Sequence, residues 1–139
     1  MQKRLSDTQF SEVHQNIDLC NALFPLAFPK RITRIPLQPL KIGINEDLFI
    51  ALNEAGHAVS MKAIRRMLGH WCSRPFYLKA FKESKVRIDL QGQPVTPLTE
   101  EEKLIAKTQL FARATQLAIK AEMRTDVIAE AAENALLAD

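Results

Sequence analysis

The sequence predicts a mostly α-helical (α+β) domain with one small β-hairpin and a long C-terminal helix. Apolar residues recur at helical spacing in five stretches, and Pro, Gly and N-capping residues punctuate the intervals between them. A single segment, Lys85 to Leu90, alternates in the manner of a strand and is followed by turn residues. With 139 residues and 47% hydrophobic content, the chain is expected to form one domain, residues 1–139, large enough to bury a real core. That core should lie at about 7–122, with 123–139 as a helical extension.

The elements follow in order. Phe10, Val13, Ile17, Cys20 and Leu23/Phe24 define an amphipathic helix over 7–24, which Pro25 and Pro29 terminate. Lys30 to Gln38 reads as an extended basic connection. Asn45 is the expected N-cap of a helix over 45–56, with Glu46 and Asp47 in its first turn and Gly56 at its end. Ser60 should cap a helix over 60–72, and Pro75 suits the first position of a short one over 75–82. Gln91-Gly92-Gln93-Pro94 supplies the turn of a hairpin near 85–96. Thr99-Glu100-Glu101-Glu102 has the form of a capping box opening a helix over 99–122, with continuation to about 137. Leu104, Ile105, Thr108, Phe111, Ala112, Thr115 and Ile119 share one face and are expected to dock on the core. Beyond Glu122 the apolar positions Val127, Ile128, Ala131, Ala135 and Leu136 swing to another face. Either the helix breaks near Thr125-Asp126, or its end projects and packs elsewhere, which makes weak self-association through this helix a further expectation.

Charge is segregated along the chain. Residues 30–87 hold 12 Lys or Arg against 4 acids, a local net charge of +8, whereas residues 99–139 carry −3. The cations stand beside Trp71, Phe76 and Tyr77, and interleaved cations and rings suit a polymer with phosphates to neutralise and bases to stack.

The basic helix carries most of this signal. Ile64, Met67, Leu68 and Trp71 form its apolar stripe, and Lys62, Arg65, Arg66, Gly69 and Ser73 lie on or beside the other face. Gly69 and Ser73 leave a shallow surface between the cations. The first turn after Ser60 holds no acid, so its free amides are open to a phosphate. Arg74 and Lys79 flank Tyr77, whose hydroxyl suits a phosphate or sugar contact, while Trp71 belongs to the core. Arg87 alternates with Val86 and Ile88 and should be displayed on the strand face opposite theirs.

Other classes find little in the sequence. No apolar window reaches the length of a membrane span, and the N-terminus lacks a signal-peptide core. Cys20 and Cys72 have no metal-type spacing, and reduced thiols point to a cytoplasmic protein. His14, His57 and His70 form no metal triad, and neither a carboxylate pair nor a glycine-rich phosphate loop stands out. Catalysis, a cofactor and a small-molecule substrate are therefore not expected. A winged helix-turn-helix DNA-binding regulator fits the outline of two helices, a short turn and a hairpin. An adaptor working through the acidic C-terminal helix is a third reading.

Several ordered blocks resemble the FinO/ProQ family of bacterial RNA-binding proteins and RNA chaperones. They are Pro39-Leu40-Lys41-Ile42-Gly43-Ile44-Asn45-Glu46-Asp47-Leu48, then Tyr77-Leu78, then Val86-Arg87-Ile88-Asp89-Leu90-Gln91-Gly92-Gln93-Pro94, within a match from about Leu19 to Phe111. The resemblance implies a compact helical domain with a small hairpin and a concave basic face. It implies binding of structured small RNAs and message 3′ ends, with a terminator-type stem and a single-stranded 3′ tail, and a role in RNA stability, strand exchange and RNA–RNA pairing. Carried over by position, its RNA contacts fall on Lys41, Arg65, Tyr77 and Arg87. Met61, Gly69 and Phe76 stand where basic residues are common in the family.

Overall fold

The computed structural model describes residues 5–137, with side chains described as far as residue 125. The helices are α1 (Asp7–Leu23), α2 (Ile44–Glu54), α3 (Met61–Cys72), α4 (Pro75–Glu83) and α5 (Glu100–Leu137), with a single 3-10 turn at Arg31–Thr33 in the basic connection. Strands β1 (Val86–Ile88) and β2 (Pro94–Pro97) pair antiparallel as the only sheet among the described residues. The architecture is mostly α with a small hairpin, as the sequence predicts.

Local chemistry sets the boundaries. Ser6 closes a reciprocal capping box with Gln9 at the start of α1. Ser60 accepts from the Ala63 N–H at the start of α3, and Pro75 opens α4. The expectation at Asn45 is corrected: α2 starts one residue earlier, behind Gly43, whose φ of 87° turns the chain into the helix. A left-handed backbone there needs glycine, and Asn45 inside the helix instead reaches the Met61 sulfur. The capping box at Thr99 is half formed. Its hydroxyl accepts from the Glu102 N–H, but the Glu102 carboxylate is engaged by Arg87 rather than returning to the cap.

Val13, Ile17 and Cys20 of α1, Leu48 and Leu52 of α2, and Ile64, Met67 and Trp71 of α3 meet Leu78, Phe81 and Ile88 in one buried cluster. Phe28 closes it, its ring edge-to-face with Trp71 at 5.2 Å. Pro39-Leu40-Lys41 joins the hairpin as well. Ile88 donates to the Pro39 carbonyl at 2.9 Å and Lys41 donates to the Ile88 carbonyl at 2.8 Å, forming a parallel bridge. At the hairpin turn, Gly92 has φ 77° and lies so close to Leu26 that a Cβ would come within 2.8 Å of it.

The docking face of α5 differs from expectation. Leu104, Ile105, Phe111 and Ile119 are exposed, whereas Ala106 is buried and Leu110 packs against the core. α5 packs against α4, and the small Ala106 rather than the bulkier stripe is the residue it buries. The helix does not break at Thr125-Asp126: its 38 residues run on for about 57 Å. The side chains of Val127, Ile128, Ala131, Ala135 and Leu136 lie outside those described.

Candidate nucleic-acid interface

The residues marked in the sequence fall into three sets. The first is the outer face of α3. Lys62 and Arg65 are exposed, and neither has an acidic partner among the described residues. Gly69, one turn on from Arg65, is exposed, and a Cβ there would meet nothing within 4 Å. Ser60 spends its side chain on the Ala63 amide, leaving the preceding amides of Met61 and Lys62 at an acid-free, positively polarised helix end. Arg66 departs from this face: it leans toward α1, 3.9 Å from Glu12.

The second set is a polar knot beneath the Pro39-Leu40-Lys41 block. Tyr77 is buried, and its hydroxyl accepts from the Leu40 N–H at 2.9 Å. Burial pushes its ionisation well above the usual tyrosine range. Arg87 donates twice to one oxygen of Glu102, at 2.9 and 2.6 Å, and once to the Leu40 carbonyl at 2.9 Å. Its guanidinium also lies 5.5 Å from the Phe81 ring centre. The expectation that Tyr77 and Arg87 are displayed to a ligand is therefore corrected, because both have their polar groups satisfied inside the protein. What they hold is Leu40, and through it the position of Lys41. Lys41 itself is half-exposed and pairs with Asp47 at 2.9 Å, a contact that raises its pKa.

The third set faces elsewhere. Arg74 and Lys79 line an open groove between α1, the 30–38 connection and α4. Tyr77 contributes to its wall, but Lys41, Ser60, Lys62, Arg65, Arg66 and Arg87 do not. The nine candidates thus do not form one patch.

Two features escaped sequence reasoning. Arg113 of α5 donates to the Ser73 carbonyl at the C-terminal end of α3, bringing a further exposed cation to the end of the α3 face. Its only signal in the sequence is a lone cation between Phe111 and Thr115. His14 and His70, 56 positions apart in sequence, stack edge-to-face at 5.5 Å beside Phe10. Burial, then the charges of Arg74, His14 and Arg113, hold the His70 pKa below its ordinary value. No group of three or more His, Cys, Asp or Glu is placed to hold a metal among the described residues. No described helix is long and apolar enough to cross a membrane.

A helical core with a bridged hairpin and an uncompensated basic helix face is the FinO-like class of fold. A FinO-like RNA chaperone from Neisseria meningitidis superposes with a TM-score of 0.59 at 27% identity, over 78% of this chain and 82% of that one. The solution structure of a ProQ homologue from Legionella pneumophila gives 0.60 at 30% identity, over 82% and 92%. The chain belongs to the ProQ/FINO family, which matches residues 10–133. The RNA chaperone ProQ of Pseudoalteromonas atlantica is 35% identical over 102 residues, 73% of this chain and 45% of that protein. That of Haemophilus influenzae is 36% identical over 97 residues, 70% and 47%. The chain spans about half the length of these curated relatives. The winged-helix reading loses its basis, since α4 intervenes between α3 and the hairpin and the matching folds are FinO-like.

Proposed function

We propose that this protein is a cytoplasmic RNA-binding protein and RNA chaperone whose domain engages structured small RNAs and message 3′ ends. The preferred ligand is a terminator-type hairpin with a single-stranded 3′ tail, and binding favours RNA stability, strand exchange and RNA–RNA pairing. The observation that carries this reading is the family match over residues 10–133, whose curated relatives are named RNA chaperones. The chemistry that supports it is the α3 face, where Lys62 and Arg65 are exposed and without an acidic partner among the described residues, beside an acid-free helix N-terminus.

On this reading Lys41, Lys62 and Arg65 contact the RNA backbone, and the amides after Ser60 hold the terminal phosphodiester. Tyr77 and Arg87 act by fixing the Leu40–Lys41 turn. A free 3′-hydroxyl then strengthens binding, and a 3′-phosphate, which adds bulk and charge at a closed end, weakens it. Competition gel shifts at fixed salt test the core of the reading. Tailed hairpin RNA should outcompete duplex DNA of equal length, and equal or better binding of the DNA would reject it. The exposed residues Leu104, Ile105, Phe111 and Ile119 support weak self-association through α5. Sedimentation showing only monomer at every concentration would remove that part.

A further inference from the structure

The groove between α1, the 30–38 connection and α4 encloses 1460 Å³ and has a lining unlike that of the α3 face. Lys30, Arg31, Arg34, Arg74, Lys79 and Lys82 stand around it, against only two acids, Asp18 and Glu83. Among the described residues, Arg31, Arg34, Lys79 and Lys82 have no ion-pair partner. A fold has no reason to gather like charges in one concavity without an anion to offset their repulsion.

Two aromatic residues narrow the identity of that anion. Phe76 is 51% exposed in the groove wall, with the Arg31 guanidinium 4.6 Å and the Lys79 ammonium 5.9 Å from its ring centre. Trp71 also lines the groove. It is 4% exposed, and its Nε1–H is the one buried side-chain polar group without a hydrogen-bond partner among the described residues. An unpaired buried donor is costly, and it lies in the residue that forms the floor of the basic groove. An exposed ring face among cations matches a nucleotide chain with unstacked bases better than a duplex, whose base faces are hidden.

We infer that this groove is a second RNA-contacting surface, which takes a single-stranded segment flanking the hairpin. Its phosphates lie against Arg31, Arg34 and Lys82, and a base stacks on Phe76. This rests on the RNA-binding reading above and adds a separate surface to it. The α3 face grips the stem and its 3′ end, while the groove lengthens the footprint along unpaired RNA.

Trp71 is the only tryptophan in the chain and lies behind Arg74 in the groove wall, so its emission is sensitive to a charge change there. Titration of the whole protein with a short oligouridine should give a saturable change in that emission. The double variant Arg31→Ala/Lys82→Ala removes two exposed side chains, should leave Tm unchanged, and should abolish the response. In parallel, a tailed hairpin RNA is compared with the same RNA extended by a single strand 5′ of the stem. Wild type should bind the extended RNA with a salt slope steeper by about two, roughly 0.7 for each of the three single-strand phosphates engaged by Arg31, Arg34 and Lys82. The double variant, which keeps only Arg34 of the three, should lose most of the gain from the extension, whereas Arg65→Ala should weaken binding of both RNAs. Tight hairpin binding with no gain from the extension and no emission change would overturn the groove and leave the α3 reading standing. Equal competition by oligoglutamate would overturn it in favour of an acidic protein partner. Failure of any form to bind the hairpin would overturn both readings.

Discussion

The outer face of α3 and the knot under Leu40 are built from the same residue types and do opposite things. Among the described residues Lys62 and Arg65 have no acidic partner and are exposed, whereas Arg87 and Tyr77 direct their polar atoms into the protein. A cation left unpaired costs the fold little at the surface and is free to be neutralised by a phosphate. A guanidinium with a carboxylate, a carbonyl and a ring around it already has its partners. Position in a family motif therefore does not distinguish a residue whose charge is left exposed from one whose polar atoms are bound inside the protein.

Variants can break or sharpen this contrast. The largest expected effect lies in neither region: Trp71→Ala leaves a cavity between α1, α3 and Phe28, and should cost roughly 3–5 kcal/mol in denaturant unfolding. Arg87→Ala strands Glu102 and the Leu40 carbonyl. It should lower stability by about 1.5–3 kcal/mol and weaken RNA binding through the displaced Lys41 turn. Tyr77→Phe should act in the same way but less, about 1–2 kcal/mol, because only the Leu40 N–H loses its partner. If Tyr77→Phe instead keeps full stability and loses RNA affinity, the knot is a contact surface and the contrast fails. Gly69→Arg tests the other region. With nothing within 4 Å of the added Cβ, it should stabilise α3 by about 0.5–1 kcal/mol and tighten RNA binding, both measurable on one sample.

The smallest effect is a pH dependence. The His70 pKa is lowered in the fold, so the unfolded chain takes up the proton first as pH falls. The contribution of neutral His70 is complete above the unfolded value of about 6.5 and is lost as pH drops toward the folded one. Thermal melts between about pH 7.5 and 5 should show a loss of stability that His70→Gln reduces. An identical loss in the variant would show that other groups carry it.

Most of the architecture is legible in the sequence because local rules decide it. Ser60, Pro75 and the Gly92 turn each act within a few residues, and the helices and hairpin lie close to their expected bounds. What was not legible depends on distant neighbours. Hydrophobic periodicity selects the largest stripe of α5, but the residue the fold buries there is the small Ala106. The parallel bridge from Leu40 to Ile88 joins residues 48 apart in number, and no pattern in either segment announces the other. The same holds for the site. Arg65 was legible because its exposure follows from its place on the helix. Arg87 was not, since its fate depends on Glu102 at the start of α5 and on the Leu40 carbonyl.

The role of the exposed α3 face is tested most directly by the affinity of Arg65→Ala for a tailed hairpin RNA, measured with its melting temperature at fixed salt. Loss of a charge-assisted phosphate contact should weaken binding by about tenfold or more, corresponding to about 1.5–3 kcal/mol, with the melting temperature unchanged. Wild-type affinity in this stable variant would show that the exposed face of α3 is not where the RNA binds.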